Sequence, residues 1–533
     1  MEKSSHEKSP FLIEWKRYEK GGFVLSAMWS GTLLLTATGL FAQVVGFLYR
    51  MMLSRLIGAE TMGLYQLVMP VYSMFMSVTA VGLTVAVSTR AARCHALGDE
   101  AGVTQVLGAG LRRFFLLAVP LGAVIVWCSD PISVYLLGDA RTRLGIVLLV
   151  PCVLLTGVEN LHKHCFYGTG RVRIPATVET MEQLVRAGAV LGLLVWLLPQ
   201  NQERTVGLIV LGMVICEVFS AVSLVVLFQR TRPRGPARDP SVAKGLWSIA
   251  IPVGLTSVLG TILGSANAVL IPAKLVEGGM ESGAAMSAFG VLCGMTMPLL
   301  ALPTGFIGAL CLTMVPDLSR RTAHGDARVA AGFLNRIMSV TMLLMAPCMA
   351  LLVVMGPTVG QLLFQQQRVG EYILPLAVGT LMTCVQSVLG GALNGLGLQG
   401  RGARNAIASD VVQLAFTYGT VSTWGLRGFV VGFVLSSLVG MGMNLASVLH
   451  ATGLRLRLYA WFVRPVLSAV LVGLWCRLLF QWLLGAGVWL GTTCVVCVVV
   501  GTLLYVAVLL LQGLSVFGWL WARRGKKTRR FPF

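Results

Sequence analysis

Acidic residues are scarce in this sequence. Only 21 Asp and Glu stand against 42 Lys and Arg in 533 residues, and charged residues of both signs make up 12% of the chain. A soluble domain carries roughly 25% charged residues, so a water-exposed globular fold is excluded. Histidine is also sparse, and the neighbours His162 and His164 point to different faces of a helix, which argues against a zinc site. There is no GxxxxGK[ST] phosphate loop, no nucleophile elbow and no HExxH helix, so ATP hydrolysis and the common hydrolase chemistries are excluded. No loop is long enough to carry the polar catalytic apparatus of a membrane-bound transferase. The chain is expected to be no enzyme and to hold no metal and no cofactor.

Apolar sequence is what the chain has in abundance: 56% of residues are hydrophobic and the mean hydropathy is +0.80. A hydrocarbon core roughly 30 Å thick needs about 20 apolar residues per helical crossing, and such segments run almost from end to end. The fold class is therefore an all-α polytopic membrane protein. The twelve cysteines, among them Cys94, Cys128, Cys152, Cys216, Cys293 and Cys494, mostly sit inside apolar segments without ligand spacing and read as small buried hydrophobes. The net charge of +21 is spread over short loops rather than gathered into a basic face with interleaved aromatics, so no nucleic acid partner is expected. The opening stretch MEKSSHEKSPFLIEWKRYEKGG is polar and mixed in charge, unlike a signal peptide, and is expected to be retained.

Gly, Pro and charge clusters punctuate the chain into about fourteen apolar segments, centred near residues 40, 76, 122, 155, 188, 217, 258, 300, 346, 385, 414, 438, 471 and 503. When alternate connections are assigned to the same side, one side collects 31 of the 42 cations, including Arg90, Arg93, Arg171, Arg173, Arg401, Arg404 and the tail from Arg523 to Arg530. The other receives only Arg141, Arg143, Arg204, Lys274, Arg368 and Arg427. The positive-inside rule then places both termini in the cytoplasm of a bacterial cell, with an even number of crossings of its plasma membrane.

The chain also resembles itself. GRVRIPATVETMEQL, Gly170 to Leu184, aligns without a gap on GRGARNAIASDVVQL, Gly400 to Leu414, with five identities in fifteen positions. A weaker AxGD echo pairs Ala96, Gly98 and Asp99 with Ala323, Gly325 and Asp326. A spacing of six helices keeps both copies in the same membrane orientation, a parallel repeat of the kind that places a substrate site between two rocking halves. The expected division is a cytoplasmic segment 1–22, an N-terminal lobe 23–229, a Pro-rich basic linker 230–245, a C-terminal lobe 246–452, two further helices over 453–522 and a basic tail 523–533.

Fourteen segments as six, six and two, together with the first-helix pattern GFLYRMMLSRLIGAETMGLYQLVMPVY (Gly46, Phe47, Tyr49, Arg50, Ser54, Arg55, Gly58, Ala59, Gly63, Tyr65, Pro70), resemble the polysaccharide and lipid-linked oligosaccharide flippase superfamily. Within it the chain is most similar to the stage V sporulation protein B group, relatives of the lipid II flippases, and the resemblance covers essentially the whole chain. It implies a V-shaped two-lobe bundle, acting as a monomer, whose central cavity takes a polyprenyl-pyrophosphate sugar headgroup while the lipid tail stays in the membrane lipid. The substrate it implies is lipid II or a related cell-wall or spore-cortex precursor, with cell-wall synthesis proteins as potential partners. The second segment (GLYQLVMPVYSMFMSVTAVGL) and the eighth (SAFGVLCGMTMPLLALPTGFIGALCLTM) lack the arginines that lipid II flippases carry there. Asn267 falls near the position where the sporulation group tends to carry an acidic residue.

The intramembrane polar residues are the site candidates. Arg50 and Gln43 are seven apart and share a helical face, which either lines the cavity and binds pyrophosphate or lets Arg50 snorkel to the outer headgroups. Arg55 lies nearer the loop, as a second headgroup ligand or an anchor. Glu159 and Lys163 are spaced to pair, as a structural or headgroup-facing pair near the cytoplasmic mouth, and Glu182 and Arg186 are spaced likewise, as a lobe-internal lock or part of a proton or cation relay. Glu217 stands alone in an apolar segment with no local partner, and Asp410 is placed to cap its helix or pair with Arg404. The expected function is export of a polyprenyl-pyrophosphate-linked saccharide by alternating access, driven by membrane potential or a cation gradient. The rival is a cation-coupled multidrug or organic-cation antiporter of the related extrusion family, which needs cavity carboxylates where the first helix here offers cations.

Overall fold

The first two crossings are one run of helix, α1 (Gly22–Met76), broken at Gly58, whose φ of 74° and ψ of 175° suit glycine alone. A computed structural model describes residues 22–197, 201–231, 245–323, 327–453 and 457–512. The expected N-terminal segment up to residue 21, most of the linker (232–244), the basic tail and Gly325–Asp326 of the AxGD echo lie outside the described residues. Among those described there is helix and no strand.

A π-helical turn, Ser77–Val81, joins α1 to α2 (Gly82–Ala96). There follow α3 (Glu100–Trp127), started by Asp99 accepting from the Gly102 amide at 2.9 Å, α4 (Arg143–Gly168), α5 (Arg173–Leu197), α6 (Gln202–Thr231) and α7 (Leu246–Glu277). Helix α8 (Ser282–Phe289) enters a second π-helical turn, Gly290–Thr296, and continues past Leu302–Thr304 into α9 (Gly305–Ala323). The last helices are α10 (Ala327–Phe364), α11 (Ile373–Gly395), α12 (Gln399–Trp424), α13 (Leu426–Thr452), α14 (Arg464–Gly485) and α15 (Leu490–Leu511).

Twelve stretches among the described residues are long and apolar enough to cross a membrane. The first, Ala37–Ala96, is two crossings folded at Gly58. Helix α12 is absent from the twelve although its 26 residues span about 39 Å at 1.5 Å per residue, because Asn405, Ser409, Gln413 and Thr417 lower its hydropathy. With the fold at Gly58 and α12 counted, the helices make the fourteen expected crossings.

Alternation of the connections is visible in the loop contacts. Arg141, between α3 and α4, donates to Glu60 beyond the Gly58 bend at 2.7 Å and to Gln202 at the start of α6. On the opposite face Arg171, between α4 and α5, reaches Glu100 at the start of α3 at 3.6 Å and the Thr231 carbonyl closing α6 at 3.3 Å. Large apolar side chains such as Leu474, Leu478 and Trp482 on α14 stand exposed, which is tolerable where the surroundings are lipid tails. Helices α14 and α15 hold to α10 through their own cluster of Ala346, Val472, Cys476, Tyr505 and Leu509.

The two halves meet along a seam of α1 and α2 against α7 and α8. A Cβ on Gly63 would sit 2.2 Å from the Met286 carbonyl oxygen, and one on Gly290 would sit 2.0 Å from the Ala59 carbonyl oxygen, so backbone touches backbone there, as small residues permit between membrane helices. Further along, Ser77 and Ser257 hydroxyls bond at 2.9 Å.

The structure corrects the register of the internal repeat. The left-handed glycine that closes α4 is Gly170 (φ 72°) and the one that closes α11 is Gly397 (φ 75°), whereas the sequence match pairs Gly170 with Gly400, already inside α12. Helix α12 starts two residues after its turn glycine and α5 three after its own, and the best string match lies three residues, about one turn, beyond the register that pairs the two glycines. In the corrected register, 227 residues, Glu159 corresponds to Gln386, Glu182 to Ser409 and Arg186 to Gln413.

Candidate functional site

Equivalent places in the two halves carry opposite chemistry. In the first half, α4, α5 and α6 pack together and bury Glu159, Glu182 and Glu217, each no more than 4% exposed. Oxygens of these three carboxylates lie within 4.8 Å of one another. Both helical pairs expected from spacing are formed: Lys163 Nζ is 2.9 Å from Glu159, and Arg186 bonds Glu182. Lys163 also reaches Glu179 at 3.4 Å.

Glu217 is not alone, contrary to the expectation drawn from its own helix. Arg186 on α5 reaches it at 3.5 Å, a partner that periodicity within α6 could not reveal. Ser220 donates to Glu182 at 3.4 Å and Cys216 to the Glu182 carbonyl at 3.3 Å. Three clustered carboxyl groups face two cations, Lys163 and Arg186. Glu217 Oε2 and Arg186 Nε are buried without a hydrogen-bond partner among the described residues. An all-oxygen set suits a hard cation, and the two resident cations favour a proton or a monovalent ion over a divalent one.

Arg50, half-buried on α1, makes no ion pair among the described residues. Tyr49, beside Arg50 in sequence, is 8% exposed with its hydroxyl unpartnered among the described residues.

The other three headgroup candidates are engaged elsewhere. Gln43 Nε2 donates to the Ala301 and Leu302 carbonyls at 2.7 and 3.2 Å, where the bend ahead of α9 frees carbonyls that a continuous helix would use. It is therefore a clasp between halves and not a free partner of Arg50. Arg55 donates to Leu362 and Leu363, both at 2.6 Å, capping the carbonyl end of α10. Asn267 accepts from Thr417 at 2.7 Å and lines a cavity in the second half, away from α1.

That cavity, about 660 Å³ in volume, lies among α7, α11, α12 and α13. Asp410 opens onto it and forms no ion pair with Arg404. Part of its polar wall was legible in principle: Ser409 and Gln413, which line it, belong with the buried Asn405 and Thr417 to a run that recurs every four residues, one stripe of a helix. Gln413 accepts from Ser436 at 2.9 Å and donates to the Phe429 carbonyl at 3.3 Å.

Known proteins resemble the chain over most of its length. It is 24% identical to stage V sporulation protein B of Bacillus subtilis (strain 168) over 431 residues, 79% of this chain and 82% of that one. It is 20% identical to the lipid II flippase MurJ of the same organism, over 62% of this chain and 65% of that one. Among solved structures, an inward closed lipid II flippase MurJ superposes with a TM-score of 0.68 at 11% identity, covering 92% of this chain and 99% of that one. An inward-facing multidrug resistance MATE family transporter of the MOP superfamily superposes at 0.61 and 15% identity, covering 79% and 99%. The model of the family described as polysaccharide biosynthesis protein matches residues 28–322, more than half of the chain, and the chain belongs to that family.

Proposed function

We propose that this protein is a flippase that moves a polyprenyl-pyrophosphate-linked saccharide, lipid II or a related cell-wall or spore-cortex precursor, from the cytoplasmic to the outer leaflet of a bacterial plasma membrane. Arg50 carries the reading. A guanidinium at membrane depth is costly, and one without a carboxylate partner is available for an anion that arrives with the cargo. Its planar fork matches phosphate oxygens. Names of the relatives, a sporulation protein and a lipid II flippase, support the substrate class.

The Glu159–Glu182–Glu217 cluster, three carboxyl groups against two cations, supports coupling to a proton or monovalent cation. Alternating access follows from the seam: halves that touch backbone to backbone at Gly63 and Gly290 part there as rigid bodies. A second reading, a cation-coupled antiporter of organic cations, draws on the same carboxylates and on the MATE-type neighbours, but leaves Arg50 without a role.

The test is rescue of a flippase-depleted bacterium, read as leaflet accessibility of the lipid-linked precursor. Wild type is expected to rescue and Arg50→Ala to fail at equal expression. Unchanged rescue by Arg50→Ala would remove the anion site, and failure of purified protein to bind lipid II better than a neutral lipid would remove the substrate class.

A further inference from the structure

The 660 Å³ cavity in the second half is built unlike the charged cluster and unlike any pyrophosphate site. No Lys or Arg lines it. Its lining joins the side-chain amide of Gln386, the hydroxyl of Ser387, the carboxylate of Asp410 and the faces of Phe429 and Phe433, two rings stacked at 17° with centroids 6.4 Å apart. Gln413, Ser436, Ser437 and Asn444 are held by one another, by Thr383 and by backbone. By contrast, no hydrogen bond from the side chains of Gln386, Ser387 or Asp410 is formed among the described residues, and none of their polar atoms is sealed away from the cavity. They are available to something that enters.

We infer that this cavity is a saccharide subsite, which takes the uncharged, hydroxyl-bearing part of the cargo. Amide, hydroxyl and carboxylate groups bond to sugar hydroxyls as donors and acceptors, and the C–H face of a pyranose packs on an aromatic ring. The volume lies within the range of ligand pockets, roughly 300–1,000 Å³. A pyrophosphate would meet only Asp410, of like charge, and is excluded. The corrected repeat register sets the two halves apart: where the first holds Glu159, Glu182 and Arg186, the second holds Gln386, Ser409 and Gln413. One slot became ionic and its twin neutral.

The subsite rests on the flippase reading for its cargo, but free sugars test it separately. The full chain in lipid nanodiscs is examined by saturation-transfer difference NMR with N,N′-diacetylchitobiose, cellobiose and maltose. Two variants are compared with wild type: Gln386→Leu, which keeps volume and removes the free amide, and Ala406→Phe, which plugs the cavity from an exposed lining position. Ser387→Ala, a small change on an exposed residue, replaces either that fails to fold. At least one sugar is expected to show transfer that each variant weakens about tenfold, the effect of one or two lost hydrogen bonds. No such sugar, or transfer equal in all proteins, overturns the subsite. So does the loss of ethidium binding in the plugged variant without loss of sugar transfer, which would assign the cavity to organic cations. In a second arm, wild type is titrated with polyprenyl pyrophosphate with and without its sugar. Binding neither better than a neutral lipid, while variant-sensitive sugar transfer persists, would sink the flippase reading and leave the subsite standing.

Discussion

Arg186 on α5 bridges two carboxylates, Glu182 one turn away on its own helix and Glu217 on α6 at 3.5 Å. Both acids are almost fully buried. Removing one partner of a buried ionic network leaves uncompensated charge, at a cost of about 3–5 kcal/mol. Arg186→Met is therefore expected to lower stability by about 3 kcal/mol, measured as thermal or denaturant unfolding of the purified protein in detergent. In the double variant Arg186→Met with Glu217→Gln much of that loss is recovered, because the second change removes one of the stranded charges. Additive losses would show that the two residues do not share a network.

Sequence spacing reached as far as a single helix allows. The Glu159–Lys163 and Glu182–Arg186 pairs were legible because residues four apart share a helical face. Glu217 looked isolated because its partner comes from a different helix, and α5–α6 packing is written in no local period. The engagement of Gln43 was hidden for another reason: its acceptors are carbonyls freed by the bend at Leu302–Thr304, 258 residues away. The second-half cavity was hidden because its wall is built from uncharged Asn, Ser and Gln side chains of several helices, which carry no local pairing signal in the sequence.

The seam should resist any side chain added to it. A Cβ on Gly290 meets the Ala59 carbonyl at 2.0 Å, so Gly290→Val cannot be relieved by a rotamer change and must push α8 from α1. Overpacking of this kind costs about 1–3 kcal/mol. The expected result is a protein that still inserts but cannot close this side. A cysteine placed at Met286 should then become reactive toward a membrane-impermeant maleimide in a background lacking native cysteines. Equal protection of that cysteine in both proteins would mean that the contact is not a gate.

Arg55 and Arg50 are five residues apart and differ in what they touch. Arg55 caps α10 through two carbonyls at 2.6 Å, a contact of a cation with a helix C-terminus worth about 0.3–1 kcal/mol when exposed. Arg55→Lys, which keeps the charge near the same carbonyls, is expected to retain nearly all transport. Arg55→Ala should lower unfolding stability by at most about 1 kcal/mol and slow transport only as far as that loss permits. Abolished flipping in a fully stable Arg55→Ala protein would return Arg55 to the headgroup site.

Arg50 offers the sharper comparison, because its proposed role depends on shape as well as charge. Without a carboxylate partner, its removal strands no counter-charge, so Arg50→Ala is expected to leave stability unchanged or raise it slightly, the reverse of Arg186→Met. Transport should nevertheless be lost. Arg50→Lys keeps the charge but replaces the planar fork by a point donor, and a bidentate contact reduced to a single one should weaken lipid-pyrophosphate binding about tenfold, near 1.4 kcal/mol. The measurement is a titration of the three proteins with polyprenyl pyrophosphate at low and high salt, beside their unfolding curves. If Arg50 binds the anion, affinity falls in the order Arg, Lys, Ala while stability does not follow. If it only snorkels to the lipid headgroups, Lys serves as well as Arg, and the affinities of the two proteins coincide.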